Sequence, residues 1–188
     1  MITKLINEIN KSLTSGCYMS ALMVTLTLLA LLDICGKAEY PNANKQKERY
    51  TKWFNEYIGK YEHSSLSPEE MPELNGELVY CLRCAVLHEG NPNTKGKNND
   101  ISYFELIWEE QEGSAICTGY SMIHREYNKY NEWHIIEKKM SINIRDLCNK
   151  ICTSAQYYYD KNQDKFNFFD YNIVNMSFHT KEMLFKKQ

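Results

Sequence analysis

Residues 17 to 32 read CYMSALMVTLTLLALL, about 16 positions without a charge, closed by Asp33. Such a run must be kept from water, so either the rest of the chain surrounds it or a bilayer does. Spanning hydrocarbon takes about 20 consecutive apolar residues, and this run stops short. An export signal would end in an A-x-A-like cleavage site, which the run lacks. A lipoprotein signal would put a small residue where Ile34 precedes Cys35. The run is therefore expected to be the central, buried helix of a bundle in a cytoplasmic protein without membrane contact. Gly36 reads as the residue that ends it, in the C′ position.

The flanking sequence supplies helices to cover it. Ile2, Leu5, Ile6, Ile9 and Leu13 form a helical stripe with charges opposite, and Ser15 and Gly16 punctuate the chain. After the loop AEYPNAN, residues 44 to 61 read as a third helix, with Tyr50, Trp53, Phe54, Tyr57 and Ile58 on one side. SSLSPEEMPE is a turn-rich connection. A fourth helix is expected from about Leu74 to Leu87, carrying Leu78, Val79, Leu82, Ala85 and Val86, and it stops at the loop EGNPNTKGKNND.

The character then changes. ISYFELIWEE, SAICTGYSMIHREY and EWHIIEKKMSINI are rich in β-branched and aromatic residues, with Gly113 and Asn131 at turns, and predict a small antiparallel meander of two or three strands. Ile144, Leu147, Cys148, Ile151 and Ala155 return to helical spacing over residues 143 to 160. The tail from Lys165 onward is open between helix and strand. The expected fold class is mainly α, a helical bundle with a small antiparallel β-hairpin or meander inserted before the last long helix. One domain would span 1–188, with the helical core at about 1–90 and 143–161 and the β insertion at about 100–142.

Composition narrows the function classes. A formal net charge of −2 is not that of a protein that tracks nucleic-acid backbone nonspecifically, which is usually basic. The seven cysteines, an odd number, sit mostly in apolar helical patterns, as reduced core thiols do. Cys81 and Cys84 form C-x-x-C and Cys148 and Cys152 form C-x-x-x-C, but both pairs lie inside helices, whereas structural zinc prefers a turn. The five histidines show no metal spacing, so neither a metal nor another cofactor is expected. The run Tyr157, Tyr158, Tyr159 and the later phenylalanines read as core or dimer packing, because few basic residues interleave them in the sequence.

One constellation carries chemistry. The fourth helix ends LVYCLRCAVLHEGN, with four residues between Arg83 and His88 and Gly90, Asn91 and Pro92 following. Here the chain resembles the HEPN superfamily, helical bundles marked by an Arg, four to six residues, then a His. LRCAVLHEGNP also resembles a bacterial family within it. The resemblance covers roughly residues 1–90 and 143–160. It implies a HEPN-like bundle and a metal-independent endoribonuclease of a defence or toxin-like system, acting on single-stranded or looped RNA and paired with a cognate protein partner. Arg83 and His88 would be the catalytic residues, supported by Cys84, Asn91 and Asp33. The residue after the motif Arg is commonly Asn or Asp in that superfamily, and Cys84 departs from this.

Physical chemistry suits those roles. An imidazole titrating near neutrality can move the 2′-hydroxyl or leaving-group proton, and a guanidinium can stabilise charge building on the phosphorane. Five positions along a helix amount to about 500° of rotation, so Arg83 and His88 fall about 140° apart. They converge only if the helix ends between them or a second chain contributes, and the resemblance implies a homodimer with the motif at the two-fold axis. The competing class is a non-catalytic interaction or nucleotide-binding module. The plainest alternative has Arg83 paired to Glu77 or Asp33 and His88 capping the helix end.

Overall fold

The computed structural model describes residues 2–14, 30–62, 72–89, 101, 103–107, 119–127 and 133–168. Outside these lie the apolar run up to 29 with Cys17, His63, the loop at 90–100 with Asn91, the turn positions Gly113 and Asn131, Cys117, and the tail from 169 with His179.

The fold is mainly helical, with five α-helices among the described residues and a three-stranded sheet between the fourth and the fifth. The first helix, α1 (Ile2–Thr14), buries Ile2, Ile6, Ile9 and Leu13, one face at the 3.6-residue period. The second, α2, is described from 30 to 39 and buries Leu31, Leu32, Cys35 and Ala38. It does not end at Gly36, as the sequence suggested, but runs on to Glu39. The glycine serves a close approach instead: a Cβ there would stand 2.7 Å from the backbone oxygen of Arg49 on the next helix.

That next helix, α3 (Gln46–Tyr57), buries Tyr50, Thr51, Trp53 and Phe54, and a 3-10 turn (Gly59–Tyr61) continues it. It is approached from its other side by α4 (Gly76–Glu89), again through glycine. A Cβ on Gly76 would lie 2.5 Å from the Thr51 carbonyl oxygen, and the Gly76 N–H donates to Asn55 Oδ1 at 2.7 Å. Asn75 caps α4, its Oδ1 accepting from the N–H groups of Glu77 and Leu78 at 3.0 and 3.1 Å. So α3 is the centre of a three-helix layer, with backbone nearly touching backbone on both sides.

The β insertion is present, but its sheet is mixed rather than antiparallel throughout. The strands are β1 (Tyr103–Ile107), β2 (Gly119–Tyr127) and β3 (Trp133–Asn143), in the order β1-β3-β2. β2 and β3 pair antiparallel from Gly119↔Ile142 to Tyr127↔Trp133, with an irregularity at His124/Arg125. β1 pairs parallel with β3, Phe104 opposite Met140 and Leu106 opposite Ile142. Chain direction alternates as in a meander, but β3, the longest strand, takes the middle and gains a partner on each edge. Phe104, Met140 and Ile142 face the core. On the other face Glu105 accepts from Ser141 and pairs with Lys139 at 2.7 Å, which fits period-two alternation.

β3 leads directly into α5 (Ile144–Lys161), capped by the Asn143 side chain accepting from the Asp146 N–H at 3.1 Å. The sequence-derived stripe of α5 is buried throughout, and α1 packs on it. A 3-10 turn (Gln163–Phe166) follows, held by Glu39 of α2, which accepts from Tyr158 at 2.5 Å and from Lys165 at 2.6 Å. Cys35, Cys148 and Cys152 share the core between α2 and α5 as free thiols, and burial pushes all three up, Cys152 to about 12. No group of metal-ligating side chains occurs among the described residues, and no helix among them is long and apolar enough to cross a membrane.

Candidate active site

α4 brings Arg83, Cys84 and the backbone of His88 onto one helix. The helix continues unbroken to Glu89, so it does not end between Arg83 and His88. Their positions are therefore about 140° apart around a regular helix axis. A helix end between them, one of the two ways in which they could converge, is not present.

Arg83 is half-buried, and its Nε is buried with no hydrogen-bond partner. Both carboxylates that the sequence offered as its counterions are engaged elsewhere. Glu77 pairs with Lys47 across the α3–α4 contact. Asp33, on α2, accepts from Gln46 and from Arg49 Nε, the latter at 3.3 Å. Asp33, expected to support the motif, lies within α2, half-buried, with its carboxylate on these two side chains of α3.

The environment that Arg83 does have is aromatic. Its guanidinium carbon lies 5.7 Å from the centroid of the Tyr80 ring, one turn earlier on α4. Tyr80 packs edge-on against Tyr50 of α3, with ring centroids 5.3 Å apart. The Tyr50 hydroxyl is fully buried and, like Arg83 Nε, has no hydrogen-bond partner. Burial pushes the Tyr50 phenol well above its ordinary value, and the Arg83 charge opposes that only in part. Tyr80 is raised by burial and by the neighbouring Cys84 thiol. Cys84 is half-buried beside the Tyr80 ring.

Two buried donors without a hydrogen-bond partner, Arg83 Nε of α4 and the Tyr50 hydroxyl of α3, thus flank the Tyr80 ring, and Trp53 Nε1 of α3 is a third such donor. Buried polar atoms in folded proteins are nearly always satisfied, so such a pair calls for an acceptor that arrives from outside. A guanidinium with unfilled donors is suited to a phosphate or carboxylate oxygen. Sequence reasoning had found Arg83 and Cys84 but missed Tyr50 and Tyr80. Tyr80 was within reach as the i−3 neighbour of Arg83, whereas nothing local pointed to Tyr50. In comparisons with known proteins, the chain matches no family model, no curated protein and no solved structure.

Proposed function

We propose that this chain is a HEPN-like, metal-independent endoribonuclease that works as a homodimer. The observation that carries the reading is Arg83, a half-buried cation whose Nε has no partner while both nearby carboxylates are bound to other side chains. An arginine kept for folding is ordinarily paired, and one kept for a substrate anion is left open until the anion binds.

The chemistry follows from the groups available. His88 takes the proton from the RNA 2′-hydroxyl, and O2′ attacks the adjacent phosphorus. The bond from phosphorus to O5′ breaks, and O5′ receives a proton, leaving a 2′,3′-cyclic phosphate and a 5′-hydroxyl. Arg83 stabilises the charge that gathers on the phosphorane oxygens. Because α4 is regular through both positions, His88 acting on the phosphate at Arg83 comes from the second copy of the chain. A single copy, holding Arg83 alone, would bind an anion without cleaving it, which is the competing nucleotide-binding reading.

The test is cleavage of a mixed-sequence RNA in EDTA by wild type, Arg83→Ala and His88→Ala, with sedimentation to give the mass. Cyclic-phosphate ends, lost in both variants of a folded dimer, are expected. A wild type as inert as both variants on varied RNAs would move the chain to the anion-binding class. A monomer would remove the argument for a composite site.

A further inference from the structure

Besides Leu87, the large hydrophobic side chains exposed among the described residues are Tyr61, Tyr157 and Phe168, all aromatic. Each ring has a lysine ammonium over it: Lys60 at 5.0 Å from Tyr61, Lys161 at 4.1 Å from Tyr157 and Lys37 at 4.6 Å from Phe168. Two of these pairs lie along one face of α5. Tyr61 lines an open groove of about 300 Å³ together with Tyr57 on its own side and Lys150, Thr153 and Ser154 of α5 opposite. Tyr157 follows Thr153 and Ser154 by one helical turn, and Lys161 follows Tyr157 by another, so both continue the same face.

From this arrangement we infer that the face of α5 from Lys150 to Lys161, with the adjoining Tyr61, is a docking surface for single-stranded RNA. It rests on the reading of RNA as the ligand but not on cleavage. Tyr61 is 68% and Tyr157 59% exposed, so a base can stack on either ring. Among the described residues no carboxylate pairs with Lys60 or Lys161, and Lys161 donates only to the neutral Tyr157 hydroxyl, so neither charge is neutralised and both can meet phosphates. Lys150 differs, since Glu62 at 2.6 Å and Asp146 at 3.4 Å neutralise it, and it serves to hold the groove's shape. A ring for the base and an ammonium for the phosphate, repeated along a groove, is the chemistry by which single strands are held without sequence preference. In the sequence the tyrosines of α5 stand apart from Lys60, and the fold brings the two segments together.

The experiment is equilibrium binding of a fluorescently labelled single-stranded RNA in EDTA, on a His88→Ala background so that the RNA stays intact. Tyr61→Ala and Tyr157→Ala are each expected to weaken binding about fivefold or more, the worth of one base–aromatic stack. Lys161→Gln should lower the slope of log affinity against log salt by about 0.7. Circular dichroism and melting of each variant confirm that the surface changes leave the fold intact. Unchanged affinity and salt slope in the folded Tyr61→Ala/Tyr157→Ala/Lys161→Gln triple variant would overturn the docking surface. That failure is separable from failure of the nuclease reading, since Arg83-dependent cleavage can persist without the surface, and the surface can bind RNA that is never cleaved.

Discussion

Replacing Arg83 by Met separates a residue kept for a ligand from one kept for the fold. Methionine preserves most of the apolar stem and removes the charge and the buried Nε that has no hydrogen-bond partner. An unmet buried donor costs about 1–3 kcal/mol, and its removal recovers that amount. Against this stands the cation–π contact with Tyr80 at 5.7 Å. Such a contact is worth about 0.5–1 kcal/mol. The balance is a stabilisation of about 0–2.5 kcal/mol. At about 2–4 °C per kcal/mol for a chain of this size, thermal unfolding should shift upward by a few degrees. The same assay with inorganic phosphate reads the ligand. Wild type should gain stability as phosphate rises, about 2.7 kcal/mol once its concentration reaches 100 times Kd, and Arg83→Met should gain much less. A melting temperature lowered by several degrees in Arg83→Met, with phosphate acting equally on both proteins, would refute the argument and make Arg83 a structural residue.

Further outcomes follow from the packing. Gly36→Ala adds a Cβ 2.7 Å from the Arg49 carbonyl oxygen. Overpacking of that kind costs about 1–3 kcal/mol and outweighs the roughly 1 kcal/mol of helix propensity that alanine gains, so urea unfolding should show a net loss. Asn143→Ala removes the cap of α5 and should cost about 0.5–2 kcal/mol in the same assay. Burial alone would raise the Glu39 carboxyl, but the hydrogen bonds from Lys165 and Tyr158 outweigh it and hold it below its ordinary value. A depressed folded-state value means stability that is present above the unfolded value near 4.5 and is lost as pH falls through the folded one. Melting from pH 6 to pH 3 should therefore fall less steeply in Glu39→Gln than in wild type. Cys35, Cys148 and Cys152, raised by burial, should resist alkylation of the native protein at pH 8 while the half-buried Cys81 and Cys84 react ahead of them, as read by peptide mass spectrometry.

What the sequence made legible is what a single helix or strand encodes by itself. The stripes of α1 and α5 were readable because burial on a helix recurs at the helical period, and Leu78, Val79, Leu82, Ala85 and Val86 of α4 are all buried for the same reason. Features set by the meeting of two elements were not. A glycine that admits a neighbouring backbone has the same appearance as one that ends a helix, which is why Gly36 misled. Alternation predicts strands and their directions but not which strand takes the middle, so the central place of β3 had no signal.

The same division holds for the candidate site. The Arg83 motif is local and was found, whereas its lack of a counterion is a property of the whole α2–α3–α4 layer. Asp33 and Glu77 were the natural partners by sequence, yet each is taken by a cation or amide of α3: Arg49 and Gln46 on one side of that helix, Lys47 on the other. α3 is held between its neighbours by Gly36 and Gly76 at backbone distance, and its polar residues consume both acids where the helices touch. What remains on the inner side is Tyr50, Tyr80 and an arginine over the Tyr80 ring whose Nε has no hydrogen-bond partner. A bundle built for stability alone would be better served by a methionine there, as the comparison with Arg83→Met is designed to show. On the proposed reading the position is kept for an anion, whose charge would meet the open Nε donor.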